Sequence, residues 1–436
     1  MALKNFKLAI GDGFQEVLLP EEKVVQVIES GTTPPIKDIK SAVTDALRNP
    51  IASKPLSQTV KKGDKVSIIV SDITRSWIRP AEFLPFIIDE IKLAGIEDED
   101  ISIVIALGGH RPHTKEEDII MCGKDIVERF KIYQHDCLAK DLVLIGTTSR
   151  KTPVWINKRI AQADKVILTG AITMHFIAGF GGGRKAVLPG VSGYETIQKN
   201  HSLSMSEIVG GGINEETRVT RINSNPLNDD MIEACAFLNP CFLVNAIIDS
   251  SGNFSRFVAG HWYKAWLEGT DTVMKMQRVD AKEKVDIVFA SAGGFPKDVN
   301  IYQASKVYDI AGMSIKPDGI VIAALEAREA SEPRDFMDNF HFADLVEMEK
   351  AVRAKYTIPF FAAFRLALLC KSNKVFMVTK KENFDIARKT GQIPFETIEE
   401  AWAQAQKEME SRGVKNYTIN ILPHAANTLP VFQKSF

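Results

Sequence analysis

The stretch VSIIVSDITR, residues 66–75, decides how the rest of the chain is read. Val66 to Val70 is continuously apolar, the pattern of a strand covered on both faces, as in a parallel sheet with helices on either side. It runs directly into Ser71, Asp72, Ile73, Thr74 and Arg75, so the polar residues fall at the carboxyl end of the strand. Pro80 then occupies a first-turn position, Phe83, Leu84, Ile87, Ile88 and Ile91 recur at helical spacing, and Gly95 stops the helix. One β-α unit is legible.

The pattern repeats downstream. Residues 101–107, ISIVIAL, end in GGHRPH, and Thr114 with Glu117 forms a capping box for the next helix. A third strand at 166–169 leads to HFIAGFGGGRKAVLPGVSGYETIQKNH, residues 175–201, in which Ser192 and Glu195 are expected to cap a short helix ending near His201. Asn225 and Pro226 read as a helix N-cap and first residue, followed by an apolar strand at 242–248. Three consecutive strands thus deliver polar groups to one sheet edge, and ligands of open parallel sheets bind beyond that edge. Upstream, a strand-like opening and the polar stretch 24–48 carry no recognisable chemistry. Residues 278–284 read as a charged linker, and strands at 285–290, 320–324, 375–378 and 417–422 build a second domain. Within it, NIYQASK places Gln303 and Lys306 on one face of a helix.

The expectation is an α/β protein of two domains, 1–280 and 281–436, each a largely parallel, Rossmann-like sheet flanked by helices, with the active site in the cleft between them. A return of the last strand to the first domain stays open. The length of 436 residues supports two cores rather than one. With 54 basic against 55 acidic residues and no basic run, nucleic acid is not expected as a partner. Five cysteines without a C-x-x-C pair read as reduced thiols of a cytoplasmic protein. The amino terminus has no signal-like apolar core, and the apolar run at 358–370 is short and holds Arg365, so no membrane span is expected.

Gly179, Gly181, Gly182 and Gly183, followed by Arg184 and Lys185, are denser than a turn requires and point to a ligand. A Walker loop fails because Ala186 follows Lys185, and no dinucleotide fingerprint is present. His113, His135, His261, His341 and His424 read as structural. Taken singly, Asp72 and Arg75 are explained as a cap and an ion pair, and Lys306 as a solvated residue. Convergence on one edge singles out His110, His175 and His201 together with Asp72 and Arg75.

SDITR at 71–75, GGHRPHT at 108–114, HFIAGFGGGRK at 175–185, NH at 200–201 and NIYQASK at 300–306 resemble, in order and spacing, the nickel-dependent lactate racemase family of 2-hydroxy acid racemases and epimerases. The resemblance implies nickel and a nickel pincer nucleotide, pyridinium-3,5-bisthiocarboxylic acid mononucleotide, covalently attached at Lys185, with His201 as the metal ligand. It implies His110 and His175 as the acid/base pair. Asp72, Ile73, Thr74 and Arg75 would touch cofactor or substrate, and Arg75, Gln303 and Lys306 would bind substrate. Cofactor-synthesis proteins and a small 2-hydroxy acid would be the partners. Imidazole cannot remove the weakly acidic hydrogen on the 2-carbon as a proton, so hydroxyl deprotonation with reversible hydride transfer is the implied chemistry.

The chain departs from lactate-specific members at three places: Ile73 replaces a histidine, Gly181 replaces a serine, and Phe360, Phe361 and Ala362 stand where a tryptophan is found. A wider pocket follows from the missing tryptophan, and lactate or a larger 2-hydroxy acid is the expected substrate. Two alternatives are carried: a nucleotide- or phosphate-ester-binding enzyme using GGGRK as an anion nest, and a non-catalytic carrier of the pincer cofactor.

Overall fold

The computed structural model describes residues 2–432, which fall into two compact units. One holds residues 32–206 and 214–276; the other holds the chain up to residue 31, residues 207–213, and everything from 277 onward.

In the first unit the apolar stretch at 66 becomes the strand Val66–Ser71, whose first five residues are buried. It lies between Ile101–Ala106 and Lys165–Ala171, parallel to both. The six strands stand in the order Phe254–Gly260, Phe242–Ile248, Lys165–Ala171, Val66–Ser71, Ile101–Ala106, Ile132–Gln134, and only Phe254–Gly260 is antiparallel. The chain builds outward from Val66–Ser71 in one direction, then returns and builds in the other. The switch point therefore lies between Val66–Ser71 and Lys165–Ala171, where the loops after the two strands diverge and leave a crevice. Helices Ile39–Arg48 and Leu84–Lys92 pack Val43, Leu47, Ile87, Ile88 and Ile91 onto this sheet.

Local chemistry sets the element ends. Thr114 caps Lys115–Cys122 in a reciprocal capping box with Glu117, and the Asn225 side chain accepts the Asn228 N–H to start Pro226–Leu238. Ser192 does not cap Tyr194–His201: Gly193 is the cap residue, and the Ser192 hydroxyl donates to the Val187 carbonyl.

The second unit is built on six parallel strands in the order Ile393–Phe395, Lys374–Val378, Ile315–Ala324, Val285–Ser291, Ile419–Leu422, Val24–Val27. The strand expected at 417–422 thus stays in this unit. Residues up to 31 belong here too, rather than with a domain running from 1 to 280. The hairpin Leu3–Ile10 with Gly13–Pro20 buries Phe6, Leu8, Val17 and Leu19 in this unit's core, and Val24–Val27 completes its sheet. The charged stretch at 278 is no linker either, since Arg278–Ala281 is a strand paired with Leu429–Phe432. Among the described residues no helix is long and apolar enough to cross a membrane.

Candidate functional site

The sheet register places the ends of Val66–Ser71 and Ile101–Ala106 side by side, with Ser71 opposite Ala106. Asp72 follows the first and His110 lies four residues beyond the second, and His110 Nδ1 meets Asp72 Oδ2 at 2.6 Å. The carboxylate is buried while 45% of the histidine side chain is exposed, so the pair presents a ring to solvent and anchors it from below. Burial pushes the Asp72 carboxyl up. The His110 hydrogen bond, the charges of His110 and Arg75 and the Thr74 hydroxyl outweigh it, so the net shift is downward and Asp72 is a carboxylate. Thr74 Oγ1 donates to Asp72 at 2.8 Å and accepts from Arg75 Nη1 at 2.8 Å. A carboxylate on Nδ1 holds the His110 proton there and leaves Nε2 as the basic nitrogen.

The glycine loop approaches the same end of the sheet. The Gly181 N–H donates to Thr173 and the Gly108 N–H to Gly190, which ties the loop to the segments after Lys165–Ala171 and Ile101–Ala106. Arg184 is fully buried, and among the described residues it forms no salt bridge with a carboxylate. Its guanidinium donates to Asn228 Oδ1 at 2.6 and 2.9 Å and to the carbonyls of Ala178, Gly181 and Gly182, and it lies 4.0 Å over the Trp266 ring. Asn245 accepts the Gly183 N–H at 2.8 Å, and Trp266 Nε1 donates to Gly181. The loop is therefore moulded around a buried cation.

Lys185 is half-buried as a residue, with its ammonium in desolvated surroundings. Burial first, then the charges of Arg184 and Arg75, hold it well below its ordinary value. His201, on the last turn of Tyr194–His201, is buried; its Nδ1–H donates to the Ile197 carbonyl at 2.9 Å, leaving the lone pair on Nε2. Burial, with a smaller contribution from Lys185, brings its pKa to about 3, so the ring is neutral. These electrostatic links run His110, Asp72, Arg75, Lys185, His201, and bring the predicted residues of three loops into one neighbourhood.

His175 sits on the short hairpin Met174–His175 with Gly179–Phe180, immediately before the loop. Its Nδ1 accepts the Ala178 and Ile177 N–H groups at 3.2 and 3.4 Å, and the ring stacks on Phe176. In the neutral ring this places the proton on Nε2, the reverse of His110.

Some expectations change. The Ile73 side chain packs against the hydrophobic core and its N–H is held by His113, so Ile73 does not offer itself to a ligand as its neighbours do. The glycines are not open space for a flat ring: a Cβ on Gly182 would stand 2.6 Å from Asn245 Oδ1, and one on Gly183 2.7 Å from the Trp266 ring. The loop also makes a poor anion nest, because the N–H groups of Gly181, Gly183 and Lys185 all donate within the protein. Gln303 lies in the turn before the helix Ser305–Ser314 rather than on it, with Lys306 in its first turn; both are exposed. Phe360, Phe361 and Ala362 are buried in the second unit, Phe360 stacked on Phe342 and Phe361 on Tyr356. Arg184, Asn228, Asn245 and Trp266 were not singled out from sequence, because a buried arginine reads like any surface cation until its partners are known.

Comparison with known proteins divides the chain differently at its start, placing residues 10–31 with an N-terminal family domain rather than with the second unit. The model for the lactate racemase N-terminal domain matches residues 10–210, and that for the lactate racemase C-terminal domain matches residues 279–428. A lactate racemase of Thermoanaerobacterium thermosaccharolyticum is 31% identical over 444 aligned positions, covering 98% of this chain and 99% of its own. One from Lactiplantibacillus plantarum is 33% identical over 308, covering 70% of each. The solved apoprotein of the T. thermosaccharolyticum lactate racemase superposes with a TM-score of 0.87 at 30% identity, covering 99% of this chain and all of that one. A Thermotoga maritima protein, 14% identical with a TM-score of 0.62 over 93% of this chain, shares the fold alone.

Proposed function

The chain belongs to the lactate racemase family, and on that premise we propose that it inverts the 2-carbon of a 2-hydroxy carboxylate, with nickel and a pincer nucleotide tethered at Lys185. The observation that carries the reading is the Asp72–His110 pair at 2.6 Å, electrostatically linked through Arg75 and Lys185 to a neutral, buried His201.

The residues fit such a group. A neutral imidazole with its lone pair on Nε2 is a good nickel donor, and a desolvated amine is the form of lysine that can be acylated. Among the described residues no three His, Cys, Asp or Glu side chains converge into a metal cage; a single protein ligand, His201, suits a metal held mainly by its own organic ligand. When bound, the group would supply an electrophilic centre able to take up and return hydride from the 2-carbon.

The chain's own residues would do the rest. His110 Nε2, its partner nitrogen held by Asp72, takes the hydroxyl proton, while His175 presents Nε2–H to the substrate oxygen. Inversion asks each ring to serve the hydroxyl of one hand. The bonds at 3.2 and 3.4 Å that hold His175 Nδ1 must then open when that ring becomes the base, and they are the weaker of the two arrangements. Arg75 holds the carboxylate, and Gln303 and Lys306 remain the proposed contribution of the second unit.

The test is intact mass of the protein from a cofactor-making host, followed by racemisation of lactate, 2-hydroxybutyrate, malate and phenyllactate. An adduct on Lys185, nickel, and loss of at least about 100-fold in activity for H110Q and for H175Q are expected. No adduct from a competent host overturns the reading. Cofactor retention with cellular function unchanged in both histidine variants would make the protein a carrier. Fastest turnover on lactate would remove the preference for a larger acid.

A further inference from the structure

His113 lies three residues after His110 on the same loop, and its side chain is fully buried. Its ring is engaged on both sides. Nε2 accepts the Ile73 backbone N–H at 2.8 Å, and Nδ1 lies 3.0 Å from Asp118 Oδ1. A backbone N–H can only donate, so Nε2 must carry a lone pair; the ring proton then sits on Nδ1 and is given to Asp118. Gln134 holds the arrangement from behind: its Nε2 donates to Asp118 at 3.2 and 3.4 Å, and its Oε1 accepts the His113 N–H at 2.8 Å.

Asp72 and Ile73 are adjacent at the end of Val66–Ser71. Asp72 is tied through its side chain to His110, and Ile73 through its backbone to His113. Two neighbouring residues of one loop are thus stitched to two histidines of another. The outer stitch is half-exposed and joins side chains that can swing. The inner one is buried, backed by Asp118 and Gln134, and fixes main chain.

We propose that His113 is a positioning residue: by holding the Ile73 N–H it sets the register between segments 71–75 and 108–114, and so keeps Asp72 against His110 Nδ1 with the basic lone pair on His110 Nε2. The proposal rests on the acid/base role given to His110 above. His113 itself touches neither substrate nor cofactor. Removing its acceptor leaves a part-buried backbone N–H without its partner, and the 71–75 segment relieves that by shifting. A shift of well under 1 Å is enough to lengthen the Asp72–His110 bond and let the His110 proton redistribute between its two nitrogens.

The experiment uses full-length apoprotein labelled with 15N-histidine, and cofactor-loaded enzyme, as wild type, H113L and H113Q. The glutamine Oε1 can take the place of Nε2 as acceptor; leucine cannot. Wild type and H113Q should show His110 as the Nδ1–H tautomer with a protected Ile73 amide. H113L should give a tautomer mixture at His110 and Ile73 exchange faster by about tenfold or more. In the loaded enzyme kcat should fall about tenfold in H113L with KM little changed, and H113Q should recover most of it. A folded H113L with wild-type His110 tautomer and Ile73 protection overturns the proposal, as does H113Q behaving like H113L. Should H113L fail to fold, H113Q against H113N gives the same comparison, because the shorter amide does not reach the Ile73 N–H; equal behaviour of the two overturns it. Full activity of H110Q would sink the acid/base reading instead, and the apoprotein tautomer and exchange data would still decide the role of His113.

Discussion

Lys185 combines two properties that act in the same direction. Its neighbours Arg184 and Arg75 are cationic, and its amine is desolvated, so the protonated form is held well below its ordinary value of 10.5. Between that depressed value and 10.5 the unfolded chain binds a proton that the folded chain does not, so stability contributed at this position rises with pH across the window and is reduced below it. Replacing the amine by an apolar group of similar length removes the penalty. K185M apoprotein should be more stable than wild type at neutral pH by about 1 kcal/mol, or roughly 2–4 °C in Tm, a modest figure because the residue is only half-buried. The gain should shrink as pH approaches 10. Differential scanning calorimetry across pH tests this; a K185M protein less stable than wild type at pH 7 would show that Lys185 keeps its proton without penalty or makes a stabilising bond. Sequence marked Lys185 by its place after the glycines. It could not show how far the amine is held down, because burial is set by the whole fold and the repulsion from Arg184 depends on Asn228 and Trp266, more than 40 positions away, which fix that guanidinium.

At the scale of the element, the glycine loop was legible as a special object, but for a different reason from the one its composition suggests. Gly182 has φ +69° and Gly183 φ +54°, and a Cβ on either would collide with Asn245 or Trp266. The glycines let the backbone close over a buried guanidinium. Gly252 has φ +86° but open space where its Cβ would be. G252A should therefore cost only backbone strain, about 1 kcal/mol, whereas G182A adds a steric clash and should cost about 3 kcal/mol or more, readable as a difference in urea midpoint. Equal costs would mean that the loop can move away from Asn245. The strands and the Thr114 and Asn225 caps could be read directly because their signals are local: apolar runs, a hydroxyl three residues before a glutamate, an Asn-Pro pair. The Ser192 cap failed because its hydroxyl found the Val187 carbonyl, a competitor that local sequence does not reveal.

For the whole molecule, the first 31 residues are the part most easily misplaced. They form a hairpin and an edge strand on the second unit, burying Phe6, Leu8, Val17 and Leu19. Each such side chain is worth about 1.5–3 kcal/mol on burial, so deleting residues 1–31 removes about as much as the whole stability of an ordinary domain. Hydrogen exchange on the truncated protein should show loss of protection across Val285–Ser291 and Ile419–Leu422, with Val66–Ser71 and Ile101–Ala106 still protected. Uniform loss across both sheets would mean that the units do not unfold independently.

By itself the sequence determined the α/β class and the three strand ends that carry Asp72, His110 and His175, because strand burial and motif spacing are written in consecutive residues; the roles of Lys185 and His201 it marked only through a family resemblance. Only the tertiary structure decided which unit the amino terminus joins, that Arg184 is the buried centre of the loop, and that His113 holds Ile73. Each of these depends on a partner distant in sequence. A strand edge, a guanidinium or an imidazole can be satisfied by many partners, and it is the packing of the whole chain that selects one.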